Sequence, residues 1–389
     1  MKKIPLLFVC LFIISFAKAQ ENVITTAVPF LLVAADARAA GMADNGVASS
    51  ADAFSQQWNP AKYAFALDKV GFSVSYTPYL TDLVNDISLG QLNYYNRLNE
   101  RSAFAGSFRF FGLGNIELRE TGDPNEIPRV VSPSEFAFDG SYSLKLSEKF
   151  SMAVAARYIN SNLKVASDTG DASSASSFAI DVAGFFQSEE IAFNEFNGRW
   201  RAGFNIQNLG PKISYDNTEF SSNFLPANLK AGAGFDFILD DYNKVAVNVE
   251  LSKLLVPTPQ NPDLNGDGTI TAEERAQNNQ DYKNIGWFSG ALQSFSDAPG
   301  GFSEELKEVT YSLGAEYLYQ DSFALRAGYF HENPDKGARQ FFSLGAGFKY
   351  NVVKVDVSYL FSTSKVKNPL ENTLRFSLTF NFGDKYDEY

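Results

Sequence analysis

Between Asp263 and Glu274 the chain places oxygen-bearing side chains at the spacing that wraps one calcium ion: Asp263-Leu264-Asn265-Gly266-Asp267-Gly268-Thr269-Ile270-Thr271-Ala272-Glu273-Glu274. Calcium takes six to eight hard oxygens, and a twelve-residue loop supplies them from positions 1, 3, 5, 7, 9 and 12. Asp263, Asn265 and Asp267 occupy positions 1, 3 and 5. Gly268 occupies the sharp turn at 6, and Thr269 offers its carbonyl at 7. Thr271 acts at 9 through water, and Glu274 gives a bidentate carboxylate at 12. An entering helix cannot form in Pro257-Thr258-Pro259-Gln260-Asn261-Pro262, because proline breaks it. An exiting helix is expected from about Thr271 to Asn279. The competing reading is a solvated Asp/Asn/Gly turn that binds nothing.

Catalytic chemistry finds little support. His331 is the only histidine, and it stands in the turn-like stretch His331-Glu332-Asn333-Pro334. Neither a Gly-x-Ser-x-Gly elbow nor an H-E-x-x-H pair occurs. Acids such as Asp139 and Asp181 are scattered and read as lumen or rim charges. The chain is therefore expected not to be an enzyme. Its 45 acidic residues against 33 basic ones give a formal charge of −12, the wrong sign for a nucleic-acid partner.

The elements that must carry these residues are strands. From about residue 69 onward, apolar and polar side chains alternate. In the last segment Leu374, Phe376, Leu378, Phe380 and Phe382 share one face, while Arg375, Ser377, Thr379 and Asn381 share the other. Val245, Val247, Val249 and Leu251 alternate with Ala246, Asn248 and Glu250, and Phe323, Leu325, Ala327 and Tyr329 with Ala324, Arg326 and Gly328. About 14 such segments predict an all-β fold, a transmembrane antiparallel β-barrel. The long segment 100–121, with Gly112-Leu113-Gly114-Asn115 inside it, is taken as one kinked strand. The last is placed at 370–382. In a barrel the apolar set faces lipid, so Arg326 and Glu250 should face the lumen.

Connections alternate between short and long, as periplasmic turns and extracellular loops do in outer-membrane barrels. The exception is 191–198, too long for the tight turn its position calls for. The loop 255–307 is the longest and holds the calcium pattern. Gly286-Trp287-Phe288, Leu292, Phe295 and Phe302 put apolar groups there, either as a partner surface or packed within the loop.

A mean hydropathy of −0.18 accords with this reading, because only alternate residues of a barrel strand meet lipid. The 36 Phe and 18 Tyr suit aromatic girdles. Residues 1–19 read as a signal peptide: Lys2 and Lys3, an apolar run from Ile4 to Phe16, then Ala17-Lys18-Ala19 before Gln20. Its removal takes away Cys10, the only cysteine, and shifts the basic count from 33 to 30 and the charge from −12 to −15. No disulfide or thiol chemistry then remains. Residues 20–68 are Ala-rich and read as short helices and turns, a hatch within the mouth of a barrel formed by 69–389.

The hatch stretch carries a resemblance. Ala27-Val28-Pro29-Phe30-Leu31-Leu32, Asp36-Ala37-Arg38-Ala39-Ala40-Gly41-Met42, Asp52-Ala53 and Trp58-Asn59-Pro60-Ala61-Lys62-Tyr63 resemble the PorV-type outer-membrane proteins of the type IX secretion system, FadL-like barrels. The C-terminus departs from the usual terminal-aromatic barrel signal, with Gly383 to Tyr389 following Phe382. The resemblance implies a non-enzymatic shuttle in the cell outer membrane, in contact with its lipid and with both termini periplasmic. It implies binding of secreted cargo C-terminal domains at an SprA-type translocon barrel and delivery to a PorU-containing attachment complex. It also implies that Asp36 to Met42 is hatch structure and not an active site. The alternative is a FadL-type uptake channel for hydrophobic small molecules.

Overall fold

The computed structural model describes residues 23–81, 84–119, 127–163, 174–215, 222–364 and 368–386. The proposed signal peptide lies outside these residues.

Alternation over nine to thirteen residues at a time makes fourteen strands. They are β1 (Asp68–Pro78), β2 (Ile87–Arg97), β3 (Ser102–Leu113), β4 (Ser134–Lys145), β5 (Phe150–Asn162), β6 (Ala175–Gln187) and β7 (Asn197–Leu209). β8 (Asn228–Ile238), β9 (Asn243–Leu254), β10 (Thr310–Tyr319), β11 (Phe323–His331), β12 (Gln340–Tyr350), β13 (Val353–Ser362) and β14 (Leu374–Lys385) complete the set. Every strand pairs antiparallel with its chain neighbours, and β1 pairs with β14, Phe72 opposite Phe380. The ring has no free edge, so the wall's backbone groups pair strand to strand where no water could serve them.

The two faces sort as the alternation demands. On β14, Leu374, Phe376 and Phe382 point outward while Arg375, Ser377 and Thr379 are buried in the lumen. On β6, Phe178 and Ile180 point out, and Ser177, Ala179 and Asp181 point in. Glu250 and Arg326 both lie in the lumen, as expected.

Segment 100–121 is not one kinked strand. β3 stops at Leu113, Gly114 turns the chain at φ 75°, and Ile116–Leu118 pairs with Arg129–Val131 in a separate ladder on the long-loop rim. A Cβ at Gly114 would also overlap the Asp86 carboxylate, which accepts from the Asn115 N–H (2.9 Å). The last strand starts at Leu374, later than expected, and runs on to Lys385. His331 ends β11 in ladder register with Tyr311 and stacks on its ring at 4.7 Å, so it is a strand residue and not a turn residue.

Candidate functional site: the filled lumen and the long-loop cap

Two features occupy the places where a barrel does its work: the segment inside the lumen and the largest loop above it.

Residues 27–66 pack inside the barrel as a 3-10 turn (Pro29–Leu32), α1 (Ala37–Ala40), α2 (Ser55–Trp58) and a second 3-10 turn (Pro60–Phe65). Helices of four residues have no stability of their own, so caps and wall contacts hold them. Asp36 caps α1 by accepting from Ala39 N–H (2.8 Å) and also accepts from the Trp58 indole (2.6 Å). Asn59 accepts from Ala61 N–H (3.0 Å) and donates to the carbonyls of Val47 (2.9 Å) and Gly184 (3.0 Å). These residues of the sequence resemblance are therefore structural.

The hatch is tied to nearly the whole circumference. Ser377 of β14 accepts from Ala37 N–H (2.8 Å) and Ser343 of β12 from Ala43 N–H (2.8 Å). Glu250 of β9 accepts from Gly46 and Val47 (2.8 and 2.9 Å). On the opposite wall Gln56 donates to Asp139 of β4 (2.7 Å), and Ser151 of β5 donates to Ala61 O (2.7 Å). Gly328 of β11 and Gly314 of β10 let the Met42 backbone lie against the strands, where a Cβ would overlap it.

Charges reinforce the tie. Arg38 of α1 pairs with Asp52 and with Glu316 of β10, both at 2.8 Å. Glu316 continues to Arg326 (2.5 Å), and Arg326 to Asp356 (2.8 Å). Across the lumen Arg157 pairs with Asp139 (3.0 Å) and Asp181 (2.9 Å) and bonds Asn208. The two acids that looked scattered in the sequence thus meet on one arginine, as an ion-paired cluster. Buried charges persist only when so compensated. Sequence parity puts Arg326 in the lumen and leaves Asp139 and Asp181 as lumen or rim charges, but their partners lie ten or more residues away and carry no local signal.

The long loop is a folded cap. It contains α3 (Ala272–Asn284), α4 (Trp287–Gln293) and α5 (Phe302–Lys307). Ala291 of α4 packs on Ala227 and Leu255 at the tops of the strands. Tyr282 donates to Pro257 O (2.9 Å) and meets Phe224 edge-on. Lys253 bridges Glu305 (3.0 Å) and Glu308 (2.6 Å), and Lys336 bridges Glu304 (2.5 Å) and Glu308 (3.1 Å). The cap also exposes apolar side chains: Phe288 is 59% exposed, Leu292 62% and Phe302 77%. Trp287 and Phe295 join them.

The calcium pattern lies before α3. No helix precedes it, and α3 follows it, both as expected. Asp263 accepts from Gly266 (2.7 Å) and Gly268 (3.0 Å), Asn265 from Asp267 (2.8 Å), and Asp267 from Thr269 (2.7 Å). Gly266 and Gly268 take φ of 74° and 80°, which glycine tolerates best. Thr271 caps α3 and Glu274 closes a capping box back onto it. Hydrogen bonds from the Thr271 N–H and hydroxyl hold the Glu274 carboxyl below its ordinary range, so it stays charged. The backbone N–H groups of Asn265 and Leu264 also point to this carboxyl and favour its charged form. Among the described residues no three His, Cys, Asp or Glu side chains converge on a point. The loop offers three carboxylates, with Asn265, Thr269 and Thr271 supplying neutral oxygens.

A family model described as Type IX secretion system protein PorV matches residues 16–261. No curated protein sequence matches the chain. Among solved structures, the Ralstonia pickettii toluene transporter TbuX is similar at TM-score 0.50 and 12% identity, over 91% of this chain and 100% of that one. The ΔS2S3 mutant of TodX, a monoaromatic hydrocarbon channel, is similar at TM-score 0.50 and 11% identity, over 89% and 98%. A Pseudomonas aeruginosa FadL homologue is similar at TM-score 0.43 and 12% identity, over 93% and 100%. Likeness at these identities is a likeness of fold.

Proposed function

This chain belongs to the PorV family of type IX secretion system proteins, and from that premise we propose that it binds the C-terminal domains of secreted cargo at an SprA-type translocon barrel and carries them to a PorU-containing attachment complex on the cell surface. As a member it is a non-enzymatic outer-membrane β-barrel of that system. The proposal adds the cargo, the partners and the orientation: long loops outside, termini periplasmic.

The observation that carries the reading is a lumen filled by the hatch beneath an apolar, solvent-facing cap. A filled lumen argues for work done on the outer surface, and Phe288, Leu292 and Phe302 supply a surface that a folded domain would cover. An uptake channel needs an apolar passage beside a movable hatch. Here the hatch is held by ion pairs and hydrogen bonds on opposite walls. We further propose that calcium bound by Asp263, Asn265, Asp267, Thr269, Thr271 and Glu274 fixes the cap. The ligand spacing, with Gly266 and Gly268 holding the positive φ that its turns need, supports this. Calcium is abundant outside cells, so even a weak site fills.

The test is a mild-detergent pull-down of the tagged protein from native outer membranes, read by mass spectrometry. A very large barrel arriving with secreted proteins that share a C-terminal domain is the expected result. A lone barrel carrying fatty acid would replace this reading with the uptake channel.

A further inference from the structure

The over-long turn at 191–198 has a structural use. Ile191–Ala192 pairs back onto β7 at Asn197 and Gly198, which lengthens the β6–β7 hairpin beyond its neighbours. Its tip carries Phe193 and Phe196, stacked at 4.9 Å. Both rings meet Phe235 of β8, at 6.1 and 6.5 Å, and Phe235 packs edge-on against Trp200 of β7 at 4.6 Å. Gly198 makes the approach possible, because a Cβ there would overlap Phe235 and crowd Phe193.

These rings wall one end of a groove of about 540 Å³ on the outside of β7 to β10. Ala233 of β8 forms its floor, and Val249 and Leu313 close the far side. The groove is shallow and open along its length, so an occupant lies against the wall and not inside a cavity. Its lining is apolar and continuous with the outward belt of Leu251 and Tyr311. The bilayer is therefore what meets it. The two turns flanking it, 188–196 and 239–242, carry Glu189, Glu190, Glu195, Asp240 and Asp241 and no lysine or arginine. Lys149 and Arg199 reach Glu189 (3.0 Å) and Glu190 (3.7 Å), which leaves the rim acidic. An anionic headgroup would be repelled there and an ammonium attracted.

We infer that this groove is a fixed lipid site, seating one acyl chain of an amine-bearing phospholipid of the phosphatidylethanolamine class with its ammonium against the acidic turns. The site rests on the outer-membrane reading and not on the cargo reading. Ordinary boundary lipid exchanges freely, whereas a chain lodged between Trp200, Phe196 and Val249 loses contacts on leaving.

The test is native mass spectrometry of the full-length barrel after stepwise delipidation in detergent, with phosphatidylethanolamine or phosphatidylglycerol added back. The wild type is expected to keep one phosphatidylethanolamine and to shed phosphatidylglycerol. Ala233→Trp, which fills the floor from the outside, is expected to lose it, and so is Phe196→Ala, which opens the end wall. Heat-modifiable gel migration selects variants that fold. The inference is overturned if the wild type keeps no lipid, if folded variants keep it as the wild type does, or if both headgroups are kept equally. It is also overturned if a protein in place of lipid is lost on groove filling. None of these outcomes bears on cargo binding, which the pull-down decides separately.

Discussion

Arg157 stands between Asp139 and Asp181 in the lumen, and each carboxylate depends on it. Removing one partner of a buried charge cluster leaves the others uncompensated and costs about 3–5 kcal/mol. Arg157→Met should therefore lower the denaturant midpoint of the folded barrel in micelles. Adding Asp139→Asn and Asp181→Asn to it should recover much of the loss. An unchanged midpoint in the single variant would mean that water already solvates these acids. At the cap, Asp263→Ala with Glu274→Ala removes the first and last ligands of the proposed calcium loop. Limited proteolysis of 255–307 in millimolar calcium should then cut the variant faster than the wild type, with the difference abolished by chelator. Equal cutting under both conditions would eliminate the calcium site and leave an Asx-rich turn.

Strands and hatch differ in how far the sequence speaks for them. A period of two over a dozen residues survives any surroundings, so the segment around Leu374 to Phe382 reads correctly by itself. The misread end of β3 shows the limit: Gly114 looked like a kink, and only the ladder between Ile116–Leu118 and Arg129–Val131 reveals a stop. In the hatch, helices of four residues are too short to show a period, and what fixes them is distant. Trp58 reaches Asp36 across 22 residues of the hatch, and Arg38 reaches Glu316 of β10, 278 residues away, so neither contact leaves a local pattern. The Asp263–Glu274 pattern can be read because its residues are contiguous, whether or not it holds calcium, and the ion pairs cannot because theirs are dispersed. If the hatch is a fixture, the reconstituted wild type should carry no ionic current in planar bilayers. Arg38→Ala with Glu316→Ala cuts the tie between α1 and β10 and should produce open-channel steps. Steady conductance in the wild type would show a mobile hatch.

The whole molecule is asymmetric along its axis, with tight turns such as 351–352 at one rim and the folded cap at the other. An epitope inserted at Gly300 should be labelled on intact cells, and labelling only after lysis would invert the proposed orientation. The same architecture bears on how the chain is built. Ala37 bonds Ser377 of the final strand, 340 residues later, and β1 closes on that strand too. Contacts so remote in sequence form late and slowly. A finished cylinder would offer the N-terminal segment no route to bonds on opposite walls, so the wall must curl around the segment as it grows. The last hairpin then zips the cylinder shut and locks its filling in one event. A lesion in the hatch should consequently appear first as a defect in biogenesis, with unclosed chains accumulating before insertion, and only afterwards as a defect in secretion.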